Sequence, residues 1–158
     1  MDNMKLEKIF EAKDGKLFKV TGDAVDLKNI KAITLSWKEV EADEEGAYNE
    51  ELLAKLREEL KALEEKNEEN KFVYISPIID REASPSADKA EQFTAAMKHS
   101  ARRLKDCISI VGFAIPPQIA KDSEKAAFYI SEMSAKHAQY VFFAQAQKSI
   151  NGIDIVEI

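Results

Sequence analysis

Residues 31–37 (KAITLSW), 72–79 (FVYISPII), 108–115 (ISIVGFAI) and 140–146 (YVFFAQA) are near-continuous apolar runs, and none alternates cleanly between apolar and polar. Such runs suit strands covered on both faces, as in a parallel sheet flanked by helices. The segments between them carry a helical period instead. In residues 49–67, Leu52, Leu53, Leu56, Leu60 and Leu63 fall on one stripe, Asn49 is a natural N-cap, and Glu50 and Glu51 suit the positive end of a helix. A second helix is predicted at about 86–105, with Phe93, Met97, Ala101 and Leu104 in register and Ser84 or Ser86 as the cap around Pro85. A third, at about 122–138, aligns Ala126, Ile130, Met133 and His137, with Asp122 or Ser123 capping. These stripes read as core, and His137 as a core or boundary residue rather than a ligand.

The strand starts near 31, 72, 108 and 140 lie 41, 36 and 32 residues apart, the cadence of βα units with right-handed crossovers. The ends of the chain are less regular. Residues 16–23 (KLFKVTGD) predict a short strand and turn, and residues 150–158 predict a final strand after the Asn151-Gly152 turn. Residues 64–71 (EEKNEENK) read as a charged helix end and a solvated loop. The whole, residues 1–158, is expected to form a single α/β domain. Its sheet is mostly parallel and built of βα units, either half-barrel-like (a partial TIM barrel) or a small open sheet.

The composition narrows the function. Hydrophobic residues make up 45% and charged residues 33% of 158, as in a soluble globular domain long enough to bury one core. Twenty-nine acidic against 23 basic residues leave a net charge of −6, which argues against a nucleic-acid partner, whose phosphates need a basic field. Lys98, Arg102 and Arg103 read as the wet face of a helix. The single cysteine, Cys107, excludes an internal disulfide and any CxxC motif, and its place beside Ile108 suggests a small buried residue. Residues 1–16 have no signal-type apolar core, and no run approaches the roughly 18 apolar residues of a membrane span. A cytoplasmic location with no membrane contact is the expectation.

Five glycines (Gly15, Gly22, Gly46, Gly112, Gly152) form neither GxGxxG nor a P-loop, so a nucleotide site of those kinds is excluded. GxSxG, HExxH and any His/Cys/Asp metal cluster are also missing, and no cofactor or metal is predicted.

One stretch says more. Residues 32–78 run from a strand ending in Ser36-Trp37, through an acidic segment, to a Gly-x-Tyr-Asn turn at Gly46, Ala47, Tyr48 and Asn49. A Leu-rich helix follows and leads back to a Val/Tyr/Ile strand. This resembles an early βα unit of the (β/α)8-barrel glycoside hydrolases, the clan of cellulases and β-glucosidases. The resemblance covers about residues 30–80 and continues more faintly through the helix around Met97–Cys107 to Pro116. It implies a barrel-type winding with a site at the C-terminal ends of the strands. Members of the clan end the strand at this point in Asn-Glu, whose Glu is the general acid/base. Here Ile115, Pro116, Pro117 and Gln118 stand instead, and Asp80 and Arg81 follow the second strand where a sugar-contacting His is common. A full barrel also takes about 250 residues.

Glycoside hydrolysis needs two carboxyl groups about 5–10 Å apart across the bond. The acids at the strand ends are Glu39, Glu41, Asp43, Glu44 and Glu45, then Asp80 and Glu82, while the later strands end in Gln118, Gln145 and Gln147. The expectation is a non-catalytic glycoside-hydrolase-like domain that binds carbohydrate or another small ligand at the strand ends. Trp37 would stack on a ring, with Glu39, Asp80, Arg81, Gln118 and Gln145 around it. Two alternatives stand beside it: a hydrolase whose displaced acid pair comes from Glu39, Glu41, Asp80 and Glu82, and an interaction or self-assembly module with no small ligand. A half barrel also leaves one sheet face and two edges unpaired, to be covered by residues 1–23 and 150–158 or by a second copy in a homodimer.

Overall fold

The computed structural model describes residues 7–66 and 71–158. A hairpin of β1 (Phe10–Lys13) and β2 (Lys16–Lys19) opens the chain, and a 3-10 turn at Leu27–Asn29 leads into β3 (Lys31–Ser36). A single helical turn, α1 (Trp37–Val40), precedes the long helix α2 (Glu50–Glu65) and β4 (Val73–Ile78). Next come α3 (Lys89–Leu104), β5 (Ile110–Ala114), the short α4 (Pro117–Ala120), α5 (Ser123–Lys136) and β6 (Val141–Ala144). A two-residue hairpin, β7 (Ser149–Ile150) with β8 (Ile153–Asp154), precedes the last strand, β9 (Val156–Glu157).

β3, β4, β5, β6 and β9 form one parallel sheet in that order. Strands laid down in sequential order with a constant crossover hand place their helices on one face, as a barrel does, and the opposite face is left to be filled otherwise. The helix side is closed by Leu35, Ile75, Phe113 and Phe142 of the strands against Leu53, Leu60, Phe93, Met97, Tyr129 and Met133 of the helices. The other face carries Val111, Ala114, Val141, Phe143 and Val156, and Phe10 and Leu17 of the β1–β2 hairpin lie on it with Ile30. Phe10 meets Phe72 edge-on at 5.1 Å, and Tyr74 stacks on Phe143 at 4.4 Å. The hairpin thus occupies the side that faces inward in a closed barrel.

The four apolar runs are strands, each trimmed by a residue or more at its ends, and all three helices form. The differences have local causes. Trp37 starts α1 rather than finishing β3, because Ser36 caps that turn with its hydroxyl accepting from the Glu39 amide at 3.1 Å. The second helix is capped not by Ser84 or Ser86 but by Asp88, which accepts from Glu91 at 3.1 Å. Asp122 caps the third as expected, and His137 ends it as the C-cap, buried at 4% exposure. Strand β1 was not foreseen, since residues 10–13 (FEAK) carry little apolar pattern. The expected final strand is broken in two. Asn151 and Gly152 take positive φ in the β7–β8 turn, and only β9 joins the main sheet. Residues 67–70 of the charged stretch at 64–71 and residues 1–6 of the expected N-terminal cover lie outside the described residues.

Gly112 is the tightest point in the sheet. A Cβ there would stand 1.8 Å from the Val141 carbonyl oxygen of the neighbouring strand, so any side chain must push the two strands apart. Gly112→Ala is expected to cost about 3 kcal/mol or more, read as a lowered urea midpoint. A second expectation concerns pH. Burial, helped by Lys105 and Lys98, depresses the His137 imidazole from 6.5 to about 4. The unfolded chain therefore takes up that proton first, and stability falls as pH drops from 6.5 towards 4, by up to about 3 kcal/mol. Chemical denaturation across that window should show a shallower slope of stability against pH for His137→Leu, while the carboxylates of Glu50 and Asp106, held ionised by His99 and Arg103 and by Arg57, keep their own loss at lower pH.

Candidate functional site

The C-terminal ends of β3 and β4 meet in a compact polar knot. Asp80, just past β4, accepts from the Ser36 hydroxyl through Oδ2 and from the Lys38 amide through Oδ1 at 2.8 Å. It therefore ties the two strand ends together and caps the single turn of α1 from outside. Arg81 donates from its guanidinium to the Glu41 main-chain carbonyl and from Nε to the Glu82 carbonyl at 2.9 Å. The same guanidinium lies over the Trp37 indole, 5.3 Å from the ring centroid, a cation–π arrangement.

Beneath it sits Glu41, a fully buried carboxylate. Its Oε1 accepts from Trp37 Nε1 at 2.8 Å and from Gln92 Nε2 at 3.2 Å, and its Oε2 accepts from the Gly46 amide at 2.6 Å. Gln92 in turn accepts from the Ser84 amide at 2.7 Å, which pins the loop before α3. Three donors on one carboxylate are what makes a buried negative charge tolerable. Gly46 approaches with φ +83°, a backbone state open to glycine at little cost. The acidic loop is thus folded around one of its own residues, while Asp43, Glu44 and Glu45 remain exposed.

The run is therefore not solvated throughout, because the Trp37 and Gln92 side chains and the Gly46 amide draw Glu41 inside. It also fixes what Trp37 can do. The indole is 0% exposed, with Phe93 against it edge-on at 5.5 Å and Arg81 above, so it presents no ring face to a ligand. Trp37, Asp80 and Arg81 of the predicted set are therefore brought together. Glu39, Gln118 and Gln145 are exposed; the Glu39 amide donates to the Ser36 hydroxyl, but no side-chain hydrogen bond joins any of the three to this knot among the described residues. Gln147 donates to the Ala120 carbonyl at 3.2 Å. Gln92 was missed; it stands between Glu91 and Phe93 in the first turns of α3, and nothing in that mixed sequence marks it as buried. Among the described residues no group of three His, Cys, Asp or Glu side chains is arranged to hold a metal, and no helix is long and apolar enough to cross a membrane.

A second cluster joins α2 to α3. Glu50 accepts from Arg103 Nε and pairs with His99 Nε2, each at 2.9 Å, and Tyr48 stacks on His99 at 4.3 Å. Desolvation pushes the Glu50 carboxyl up, but His99 and Arg103, through charge and hydrogen bonds, together outweigh it and hold the group below its usual range.

No protein-family model matches this chain, and no curated protein matches it in sequence. Solved structures do resemble it in fold. A glycoside hydrolase of subfamily GH5_18 from Bifidobacterium longum subsp. infantis superposes with a TM-score of 0.52 at 10% identity, over 72% of this chain and 33% of the other. The endoglucanase Cel5A of Pseudomonas stutzeri gives 0.54 at 15% identity, over 73% of this chain and 39% of the other. The fold is therefore that of part of the α/β barrel seen in these two structures, and the chain spans between a third and two fifths of their length.

Replacing Glu41 by Ala leaves three donors without their acceptor inside the protein. Glu41→Ala is expected to lose about 3–5 kcal/mol in urea unfolding, with the Trp37 fluorescence shifted to the red in the folded state.

Proposed function

We propose that this chain is a non-catalytic glycoside-hydrolase-like domain that acts through its protein surfaces. The observation that carries the reading is the fate of the acids at the strand ends. Glu41 is sealed behind three protein donors, and both Asp80 oxygens accept from β3 and α1. A general acid or nucleophile must instead reach substrate with a free oxygen. The buried indole and the hairpin filling the sheet's inner face support the same reading, since a sugar site is built on open rings and a cleft.

A second reading keeps carbohydrate contact at the rim. It is favoured by the exposure of Gln118, Gln145 and Glu39, polar side chains that follow different strands at the same end of the sheet. The two readings separate in one set of experiments. Incubation with cello-, xylo-, manno- and chito-oligosaccharides should release no new reducing ends, and ligand-observed NMR should show no saturation transfer. Binding that Gln118→Ala and Gln145→Ala abolish would favour the rim reading. Turnover lost in the Glu39→Gln, Asp80→Asn double variant would overturn the non-catalytic one.

A further inference from the structure

The two edges of the parallel sheet are treated differently. At β9 the Glu157 amide donates to the Gly15 carbonyl at 2.9 Å, so the turn of the N-terminal hairpin closes that side. At β3 no strand lies alongside among the described residues. The Lys31 amide donates inward to the Phe72 carbonyl at 3.3 Å, and because the amides of a strand alternate in direction, those of Ala32 and Thr34 point out of the sheet. Both of these residues are exposed, and so is Lys31. Over its six residues β3 carries neither a proline nor a central charge, the devices that ordinarily keep an edge from pairing. Beside it, α2 is the end helix of its row, and Leu52, Leu56 and Leu63 on it are only partly buried, as is Ile33 of the strand.

We propose that β3 is the interface of a homodimer, in which two copies of the strand pair antiparallel about a two-fold axis at Thr34 and join two sheets into one. This deepens the interaction reading above and rests on it. The distribution of charge along the strand selects a second copy in this orientation. Lys28 and Lys31 are exposed at its start beside Asp26, while Glu39, Asp80 and Glu82, with Asp43, Glu44 and Glu45 of the loop that follows, are exposed at its finish and outnumber the cations there: Lys38, the half-buried Arg81, and Lys89, which bridges Glu82 at 3.0 Å. Antiparallel pairing lays the lysine end of each copy on the acidic end of the other, twice over. Parallel pairing would set like on like. With the axis at Thr34, the two Thr34 residues exchange their outward main-chain bonds and Ala32 faces Ser36 of the second copy.

Sedimentation equilibrium of the full chain from micromolar to near-millimolar concentration tests this. The expected result is a mass rising from 17.8 kDa towards twice that value. Thr34→Pro removes only an outward amide, so it should leave the circular dichroism unchanged and the mass monomeric. Lys31→Glu should weaken association at least about tenfold, and adding Glu39→Lys should restore it; that pair decides the matter even where the proline variant misfolds. A mass of one chain at every concentration overturns the proposal, and so does a dimer indifferent to these changes. Either failure, without oligosaccharide turnover, leaves the non-catalytic reading standing with another partner.

Discussion

Everything in this structure follows from the need to cover the inward face of a parallel sheet that does not close. In a complete barrel the strands fill one another's interior with side chains. Five strands cannot do so, and Val111, Val141, Phe143 and Val156 would face water. Burial of such side chains stabilises by about 1.5–3 kcal/mol each, so leaving the face bare would forfeit most of a small domain's stability. The β1–β2 hairpin supplies the missing apolar atoms with Phe10 and Leu17. It fills the side where a barrel's interior would lie and presents its turn to β9.

The same economy governs the strand ends. In a barrel enzyme, acids at this edge are held apart from the scaffold so that they can meet substrate. Here the scaffold takes up two of them. Asp80 joins β3 to β4, and Glu41 organises the loop from α1 to α2 by gathering the Trp37 indole, the Gln92 amide and the Gly46 backbone. Arg81 then covers the indole. A buried carboxylate with three donors is costly to disrupt and gives the long loop one conformation, which fits a part in architecture better than a part in chemistry.

Much of this was legible in the sequence and some was not, for identifiable reasons. Doubly covered strands leave near-continuous apolar runs, and capped amphipathic helices leave a stripe and an Asn or Asp, so β3 to β6 and the three long helices could be read directly. Their sequential spacing, with the Ser36-to-Tyr48 stretch, pointed to a partial barrel. The hairpin strand β1 was invisible because residues 10–13 (FEAK) offer one large apolar residue, and a strand lying on another sheet needs little more. The inward turn of Glu41 was invisible because nothing in a run of acids marks which one will find donors. Those donors come from positions 37, 46 and 92, and only the fold brings them together. Trp37 read as a possible platform for the same reason, since its burial depends on Phe93 and Arg81 arriving from elsewhere.

The coverage of the sheet is also uneven, and that unevenness carries the last step. One hairpin serves both the inner face and the β9 edge, because its strands lie on the face while its turn reaches Glu157. A segment so placed at β9 cannot also lie along β3, four strands away. Sequence-local devices of protection are absent there as well: Ile33 and Thr34 are good strand formers, and neither they nor Ala32 carries a charge. A row of strand amides with no strand alongside among the described residues, flanked by half-buried leucines, is a surface with both polar and apolar reasons to be covered. The molecule satisfies those demands at one edge from its own chain, and at the other it presents them, with a lysine at one end and carboxylates at the other, to whatever can answer in the opposite direction.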